Sequence, residues 1–307
     1  MCSLRFSLPL SVPRISLLQS RRYSSCDFSR FFPSCYPGEK LQRGCRRFQS
    51  FLKMEVLLRS LRPRLFFRVI WFLGFILFLQ FWIAGSIDKN KALVEHLQQH
   101  GKLRSDKVAE VMETIDRALF VQKEYPPYVD SPMPIGYNAT ISAPHMHALC
   151  LELLKDHIQP GMHALDVGSG SGYLTACFAM MVGPEGRAVG IEHIPELVAA
   201  SIENVKRSAA AHLLEKGSLS LHVADGRDGW PEAAPYDAIH VGAAAPEIPK
   251  ALLDQLKPGG RMVIPVGHFF QDLQVIDKKL DGSITFRNVT GVRYVPLTSR
   301  SAQLQNY

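Results

Sequence analysis

Residues 88–307 predict an α/β fold, a doubly wound and mostly parallel sheet with helices on both faces. Two observations support this prediction. Short apolar runs alternate with stretches of helical spacing, and the first run leads straight into a glycine-rich turn. Ligands of such sheets bind beyond the carboxyl ends of the strands, so site residues are expected there. The expected strands cover residues 164–167, 188–191, 219–223, 238–241 and 262–266.

Helical spacing also precedes the expected sheet, over residues 91–99 and 106–119. Ser105 stands directly before the second stretch, where its side chain is a candidate N-cap. Hydrophobic residues make up 47% of the 307 residues, which is enough for a substantial core. The body of the chain is therefore expected to be globular.

The formal net charge of +7 is concentrated at the start of the chain. Residues 1–65 contain thirteen Lys and Arg against three acids, a net of +10, which leaves −3 for the remaining 242 residues. A mildly acidic body argues against a nucleic-acid partner, because phosphate binders concentrate basic residues on the folded surface. The six cysteines form no C-x-x-C pair, which favours reduced thiols in an intracellular protein.

The first 87 residues predict two segments outside the globular domain. Residues 1–65 are a basic leader rich in Ser and Arg, the composition of a transit peptide for a plastid or mitochondrion, with an untargeted disordered extension as the alternative. Residues 66–87 are hydrophobic, and the run 69–85 is about 17 residues long, barely enough to span a bilayer. This run would permit membrane contact as a spanning, signal-anchor or interfacial helix. A start at Met54 would give a shorter product that retains it.

The strongest local signal is the sequence LDVGSGSG at residues 165–172. Its glycines, Gly168, Gly170 and Gly172, allow a sharp turn and a close approach of the backbone to a ligand. A nicotinamide cofactor is one candidate, but Tyr173 stands where the dinucleotide pattern needs its third glycine. Asp166 directly before the turn suits the ammonium group of S-adenosylmethionine, which carries no pyrophosphate. The turn therefore favours a methyltransferase.

Acids follow three successive expected strands. Asp166, Glu192 and Asp225, the last followed by Gly226, would contact the amino acid, ribose and base of one ligand in turn. A solvated loop acid is common at any one such position. Three in order are much better explained by a shared ligand.

Further motifs carry a resemblance to a family. These are PIGYNATISAPHMH at 134–147, DAIHVGAAA at 237–245 and LKPGG at 256–260. With LDVGSGSG, they closely resemble the protein-L-isoaspartate (D-aspartate) O-methyltransferase family over about residues 88–303.

The resemblance implies a Rossmann-like, class I methyltransferase that converts S-adenosyl-L-methionine to S-adenosyl-L-homocysteine. The implied substrates are proteins with L-isoaspartyl and D-aspartyl residues, whose free α-carboxylate is esterified. The ester then closes to a succinimide, which returns some normal aspartate. A monomer is implied, with a core like that of cytoplasmic and nuclear enzymes.

The resemblance also assigns site residues. It makes Ser142 the active-site serine, and it places a group of residues in the cofactor pocket, where Glu192 replaces the Asp that such enzymes often have. That group is Ala139, Thr140, Ile141, Ser142, His147, His193, Thr298 and Gln303.

Ser142 is expected to orient the substrate rather than attack it. A carboxylate with a pKa near ~4 is already ionised at neutral pH, so no base is required. His145 or His147 could activate a nucleophilic serine, but no G-x-S-x-G elbow surrounds Ser142. His145, His147, His193 and His240 show no metal-ligand spacing, so we expect hydrogen-bonded histidines and no metal.

Two other functions stay open from the sequence. One is a methyltransferase of the same fold that acts on a nucleic acid or a small metabolite. The other is a noncatalytic, membrane-tethered adaptor. The intact glycines and the three acids argue against the adaptor.

Overall fold

The computed structural model describes residues 71–72, 74 and 89–305 of the chain. Residues 74 and 89–305 belong to the unit Gly74–Tyr307, whose fold follows. The predicted leader, residues 1–65, and most of the predicted hydrophobic segment, 66–87, lie outside the described residues. Within the described part of the chain, no helix is long and apolar enough to cross a bilayer.

Two sheets are present among the described residues. A small antiparallel hairpin consists of β1 (Met133–Gly136) and β2 (Ala139–Ile141). The central sheet has seven strands in the order β5-β4-β3-β6-β7-β8-β9. Strands β3 to β7 are parallel to one another, and β8 and β9 extend the sheet antiparallel. The seven strands are β3 (His163–Val167), β4 (Arg187–Glu192), β5 (Leu219–Val223), β6 (Tyr236–Val241), β7 (Leu256–Gly267), β8 (Gln271–Lys278) and β9 (Ile284–Val292).

Eight helices accompany these strands in the described part of the chain. They are α1 (89–99), α2 (Asp106–Thr114), α3 (Pro144–Leu154), α4 (Tyr173–Val182), α5 (Pro195–Lys206), α6 (Ala211–Lys216), α7 (Lys250–Gln255) and α8 (Arg300–Leu304). Short 3-10 turns cover Arg117–Leu119, Lys155–His157 and Pro231–Ala233.

The core lies on both faces of the sheet, as the sequence predicts. Along β3, Ala164 packs into one buried cluster with α2 to α5, whereas Leu165 and Val167 pack into a second cluster with Leu252 of α7. Successive side chains of a strand point to opposite faces, so apolar runs without alternation are required where both faces are covered. The structure confirms all five predicted strands. Their apolar runs are continuous because both faces of the sheet are covered.

Strands β8 and β9 have no counterpart in the sequence prediction. β9 is the edge strand, and most of its residues are exposed. Its sequence, ITFRNVTGV, carries no continuous apolar run because the core covers little of it. Antiparallel edges of this kind give a weaker sequence signal than buried parallel strands.

The predicted helix over residues 106–119 is too long, and its predicted cap is wrong. α2 ends at Thr114, and Asp116 then caps the 3-10 turn by accepting from the backbone N–H of Ala118 at 2.9 Å. Ser105 occupies the N-cap position, but its side chain makes no capping hydrogen bond. The Glu152 Oε1 instead accepts from the backbone N–H of Ser105 at 2.5 Å. A carboxylate far along the chain thus holds the backbone N–H of the N-cap residue itself.

Candidate active site

The glycine-rich turn joins β3 to α4 at the carboxyl end of the sheet. Gly168, Gly170 and Gly172 have φ values of 73°, 51° and 85°, in the left-handed region that favours glycine. The backbone N–H groups of Gly168 and Ser169 both donate to Ile191 O, at 2.9 and 3.0 Å. A Cβ at Gly172 would lie 3.0 Å from Ser201 Cβ, so this glycine also lets α5 pack closely. The turn therefore keeps its backbone facing the cavity beyond the strands.

Asp166 is buried at the end of β3, with 1% of its surface exposed. Its Oδ2 accepts from Thr175 Oγ1 at 2.6 Å, and its Oδ1 lies 2.8 Å from His240 Nδ1. Burial alone would lower the pKa of His240, but contacts with Cys150 and with the Asp166 carboxylate raise it to about 10. His240 is therefore an imidazolium at neutral pH, next to the Asp166 side chain.

Glu192 ends β4 and is also buried. Its Oε1 accepts from the backbone N–H of Ile194 at 3.1 Å, and its Oε2 accepts from that of Gly170 at 3.3 Å. Burial raises the pKa of this carboxyl, although these backbone hydrogen bonds and His193 oppose the rise. Each carboxylate oxygen keeps a further lone pair for a ligand hydroxyl.

Asp225 lies just beyond β5 and differs from the other two acids. Its carboxylate forms a two-pronged ion pair with Arg227, with Nε–Oδ1 and Nη2–Oδ2 distances of 2.9 and 2.6 Å. The hydrogen bond from Arg227 lowers the pKa of Asp225. This pair is partly exposed to solvent.

Three cavities adjoin one another around the strand ends, sharing Thr140 and Gly242. The inner cavity lies beside Asp166, and the nucleoside cavity, as we name it, lies beside Glu192. The third is the open cavity, with a volume of about 600 Å³. Thirteen of the fifteen residues predicted for the site line these cavities: Ala139, Thr140, Ile141, Ser142, His147, Asp166, Gly168, Gly170, Glu192, His193, Gly226, Thr298 and Gln303.

The remaining two predicted residues stand away from the cavity walls. Gly172 supports the turn from behind, against Ser201. Asp225 is held by Arg227 next to Gly226, and Gly226 itself lines the nucleoside cavity. Of the three strand-end acids predicted to face one ligand, Asp166 and Glu192 line the cavities, whereas Asp225 lines none of the three.

Ser142 lies between β2 and α3, where it lines both the inner and the open cavity. Tyr294 lines the open cavity together with Ser142. Burial raises the pKa of Tyr294 well above its usual value, so the phenol keeps its proton. The sequence did not reveal Tyr294, because nothing local in RYVPL marks it. Its place in the same cavity as Ser142 arises only when the chain folds.

Arg117 is a second residue that the sequence did not reveal. Its guanidinium is 1% exposed and lies 5.9 Å from the centre of the Tyr173 ring. Burial lowers its pKa to about 10, so it remains a cation at neutral pH. Its Nε is buried without a hydrogen-bond partner among the described residues.

Arg117 fixes the protonation of His147. The Nη1 of Arg117 lies 3.4 Å from Nδ1 of His147, and a guanidinium can only donate. Nδ1 is therefore the acceptor, which leaves the proton of the neutral ring on Nε2. Burial and the charge of Arg117 lower the pKa of His147 well below its usual value. His147 is neutral where it lines the inner cavity.

The C-terminal segment closes over the nucleoside cavity. Gln303 donates through Nε2 to Tyr137 O at 2.8 Å, and its Oε1 lies 2.9 Å from Nε2 of His193. The Asn138 side chain donates to Gln303 O at 2.9 Å. One glutamine thus joins the β1–β2 turn to the end of β4.

The four histidines considered for a metal all have other partners. His145 lies 2.8 Å from Asp130, and His147, His193 and His240 contact Arg117, Gln303 and Asp166 respectively. The prediction of ordinary hydrogen-bonded histidines is confirmed. In residues 71–72, 74 and 89–305, no group of three or more His, Cys, Asp or Glu is arranged to hold a metal.

Residues 88–302 match the family model of Protein-L-isoaspartate(D-aspartate) O-methyltransferase. The chain belongs to this family. The resemblance drawn from the motifs is therefore confirmed, as is the class I methyltransferase fold.

Individual relatives agree with the family assignment. A protein-L-isoaspartate O-methyltransferase of Triticum aestivum is 80% identical over 227 residues, which cover 74% of this chain and 99% of the relative. Protein-L-isoaspartate O-methyltransferase 1 of Arabidopsis thaliana is 68% identical over 226 residues, 74% of this chain and 98% of the relative. A Plasmodium falciparum structure, described as a putative enzyme of this family in complex with S-adenosyl-L-homocysteine, matches with 36% identity and a TM-score of 0.64. The match covers 68% of this chain and 98% of that one.

Proposed function

We propose that the chain is a protein repair enzyme. It transfers a methyl group from S-adenosylmethionine to the free α-carboxylate of L-isoaspartyl residues, and of D-aspartyl residues, in damaged proteins. One observation carries the proposal: Ser142 lines both the inner cavity beside Asp166 and the open cavity of about 600 Å³. A cofactor site and a polypeptide site would therefore meet at this serine.

The inner and nucleoside cavities fit S-adenosylmethionine by their donors and acceptors. Ser169 Oγ lines the inner cavity and is buried without a hydrogen-bond partner among the described residues, so a polar ligand group would satisfy it. Asp166, Gly168, Gly170 and the Nε2–H of His147 would hold the amino-acid end. Glu192 would accept from ribose hydroxyl groups through its free lone pairs.

The nucleoside end is enclosed by residues of several segments. Gly226 would approach the base closely, and Asp225 behind it would supply an acceptor for the adenine amino group. The side chains proposed to close this end are Ala139, Thr140, Ile141, His193, Thr298 and Gln303.

The proposed reaction requires no proton transfer by the chain's own residues. When bound, S-adenosylmethionine supplies an activated methyl group, whose transfer to a carboxylate leaves a neutral thioether and no proton to move. The substrate carboxylate is already ionised at neutral pH, so no side chain need act as a base. Positioning then supplies most of the rate, on the order of 7 kcal/mol or more.

Ser142 and Tyr294 would do this positioning. Tyr294 keeps its proton and lines the open cavity with Ser142, so we propose that it donates to Ser142 Oγ. Ser142 is then free to donate its own proton to a substrate carboxylate oxygen in the open cavity. Ser142 is proposed as the catalytic residue, and Tyr294 as the residue that positions it.

A paired-peptide assay tests this function. The full chain is incubated with S-adenosylmethionine and two peptides that differ only in Asp against isoaspartate. We expect a base-labile methyl ester on the isoaspartyl peptide alone. Equal modification of both peptides, or a methyl product that resists mild base, would overturn the proposal.

The proposal also covers the N-terminal segments and the oligomeric state of the chain. We propose that residues 1–65 direct the chain to a plastid or mitochondrion and that run 69–85 makes membrane contact. The catalytic domain then occupies residues 88–307. It acts as a monomer. Fluorescent fusions of residues 1–87 and 54–87 would separate organelle targeting from membrane retention. Light scattering of the purified chain would measure its mass in solution, and a dimer mass would contradict the last point.

A further inference from the structure

The loop between β7 and β8 exposes two adjacent aromatic side chains. This aromatic loop consists of His268, Phe269 and Phe270. Phe269 is 99% exposed and Phe270 is 95% exposed. Large apolar side chains grouped on a surface commonly mark a binding site.

The backbone of the aromatic loop is held in place. Gly267 at its start has φ 127°, and a Cβ there would lie 2.0 Å from Phe270 O, so the tight turn requires glycine. The Gln271 side chain donates from Nε2 to His268 O and to Tyr294 O, both at 3.2 Å. Its Oε1 accepts from the Tyr294 backbone N–H at 2.6 Å. Gln271 therefore ties the loop to the segment that carries Tyr294.

Phe269 and Phe270 line the open cavity together with Ser142 and Tyr294. Ligand cavities of about 300–1,000 Å³ enclose molecules considerably larger than one amino-acid residue. At about 600 Å³, the open cavity has room for neighbours of the residue whose carboxylate reaches Ser142. Because the backbone of the aromatic loop is already braced, only the two side chains would need to be ordered when they bind such neighbours.

We propose that Phe269 and Phe270 form a subsite for apolar side chains that flank the isoaspartyl residue in the substrate polypeptide. This inference rests on the proposed function. The subsite gives the enzyme a preference among isoaspartyl sequences, and it favours segments whose apolar side chains have become exposed. It contributes to binding and leaves the chemical step at Ser142 unchanged.

The test compares the full chain with the double variant Phe269→Ser/Phe270→Ser on two isoaspartyl peptides, one with Leu or Phe flanking the site and one with Ser or Gly. Apolar pockets discriminate by about 10- to 200-fold. We expect the unsubstituted enzyme to favour the apolar peptide by about tenfold in kcat/KM. In the double variant this ratio should fall to about one through a higher KM, with kcat retained.

The matched control is Phe286→Ser, which removes another exposed phenylalanine, 69% exposed on β9, that does not line the open cavity. It should keep the preference. Phe269→Leu/Phe270→Leu should also keep most of it, since an apolar wall remains. Three results would overturn the subsite. The preference could survive in the serine double variant, it could be absent from the unsubstituted enzyme, or Phe286→Ser could abolish it as well. If the unsubstituted enzyme esterifies Asp and isoaspartyl peptides equally, the proposed function fails and the subsite falls with it.

Discussion

The parallel and antiparallel halves of the central sheet differ in the burial and hydrogen bonding of their functional side chains. In the parallel half, Asp166 and Glu192 are buried, and each of their carboxylate oxygens already has a partner from the protein. In the antiparallel half, Phe269 and Phe270 are almost fully exposed, while only their backbone is braced. Buried charge requires fixed partners, because an unpaired buried charge is expensive. A surface that binds substrate polypeptides of many different sequences needs exposed apolar area more than fixed hydrogen bonds.

The largest effect is expected where a buried partner is removed from the parallel half. Asp166→Asn leaves the His240 imidazolium without its carboxylate, which should lower the free energy of unfolding by about 3 kcal/mol. The matched control is Asp225→Asn, which opens a partly exposed ion pair and should cost less than about 1 kcal/mol. Urea denaturation measures both. Equal losses would remove the distinction between the two acids.

Ser142 lines both the inner cavity and the open cavity, and its replacement should affect turnover. Ser142→Ala should lower kcat about hundredfold, because one donor that orients the substrate carboxylate is lost. Mass spectrometry of the intact chain during turnover should show no methyl- or acyl-enzyme. A covalent intermediate in the unsubstituted enzyme would falsify the positioning role.

Stability should also depend on pH through the parallel half. The pKa of His240 is about 10 in the folded chain, above the ordinary value near 6.5, so the folded state holds this proton more tightly. The stabilisation is complete below about pH 6.5 and is lost as pH rises toward 10, with a slope of about 1 kcal/mol per pH unit. Denaturation between pH 7 and pH 9 should show this slope in the unsubstituted chain and a shallower one in His240→Gln. Identical slopes would mean that His240 is not charged.

A smaller effect is expected from Tyr294, which supports Ser142 from the antiparallel half. Tyr294→Phe removes the proposed donor to Ser142 Oγ while keeping the ring in the open cavity, and kcat should fall about tenfold with little change in KM. Tyr125→Phe, at an exposed turn, serves as the control. A rise in KM without loss of kcat would assign Tyr294 to substrate binding instead.

The last prediction is that the ring of His147 does not change its protonation state. Because burial and Arg117 hold the pKa of His147 well below its usual range, its ring should stay neutral between pH 5.5 and pH 8. Nitrogen-15 NMR of the histidine rings should report the proton on Nε2 throughout. Protonation of His147 within this range would contradict the proposed donor role toward the cofactor.

The sequence predicts the parallel half well because its signals are local. Glycines, a strand-end acid and apolar runs stand next to one another along residues 165–172 and at the other strand ends. Contacts between distant segments could not be predicted in this way. Glu152 binds the backbone N–H of Ser105, Arg117 sets the tautomer of His147, and Tyr294 shares the open cavity with Ser142, all only through the fold. The polar edge strand β9 was missed because few of its residues are buried.

In the proposed mechanism, a cofactor cavity and a polypeptide cavity meet at Ser142. A crystal structure of the full chain with S-adenosylhomocysteine and an isoaspartyl peptide would show whether they do. We expect the cofactor sulfur in the inner cavity near Asp166, and the peptide α-carboxylate within hydrogen-bond distance of Ser142 Oγ. A peptide carboxylate bound away from Ser142, or a nucleoside outside the wall formed by Glu192 and Gln303, would contradict the account.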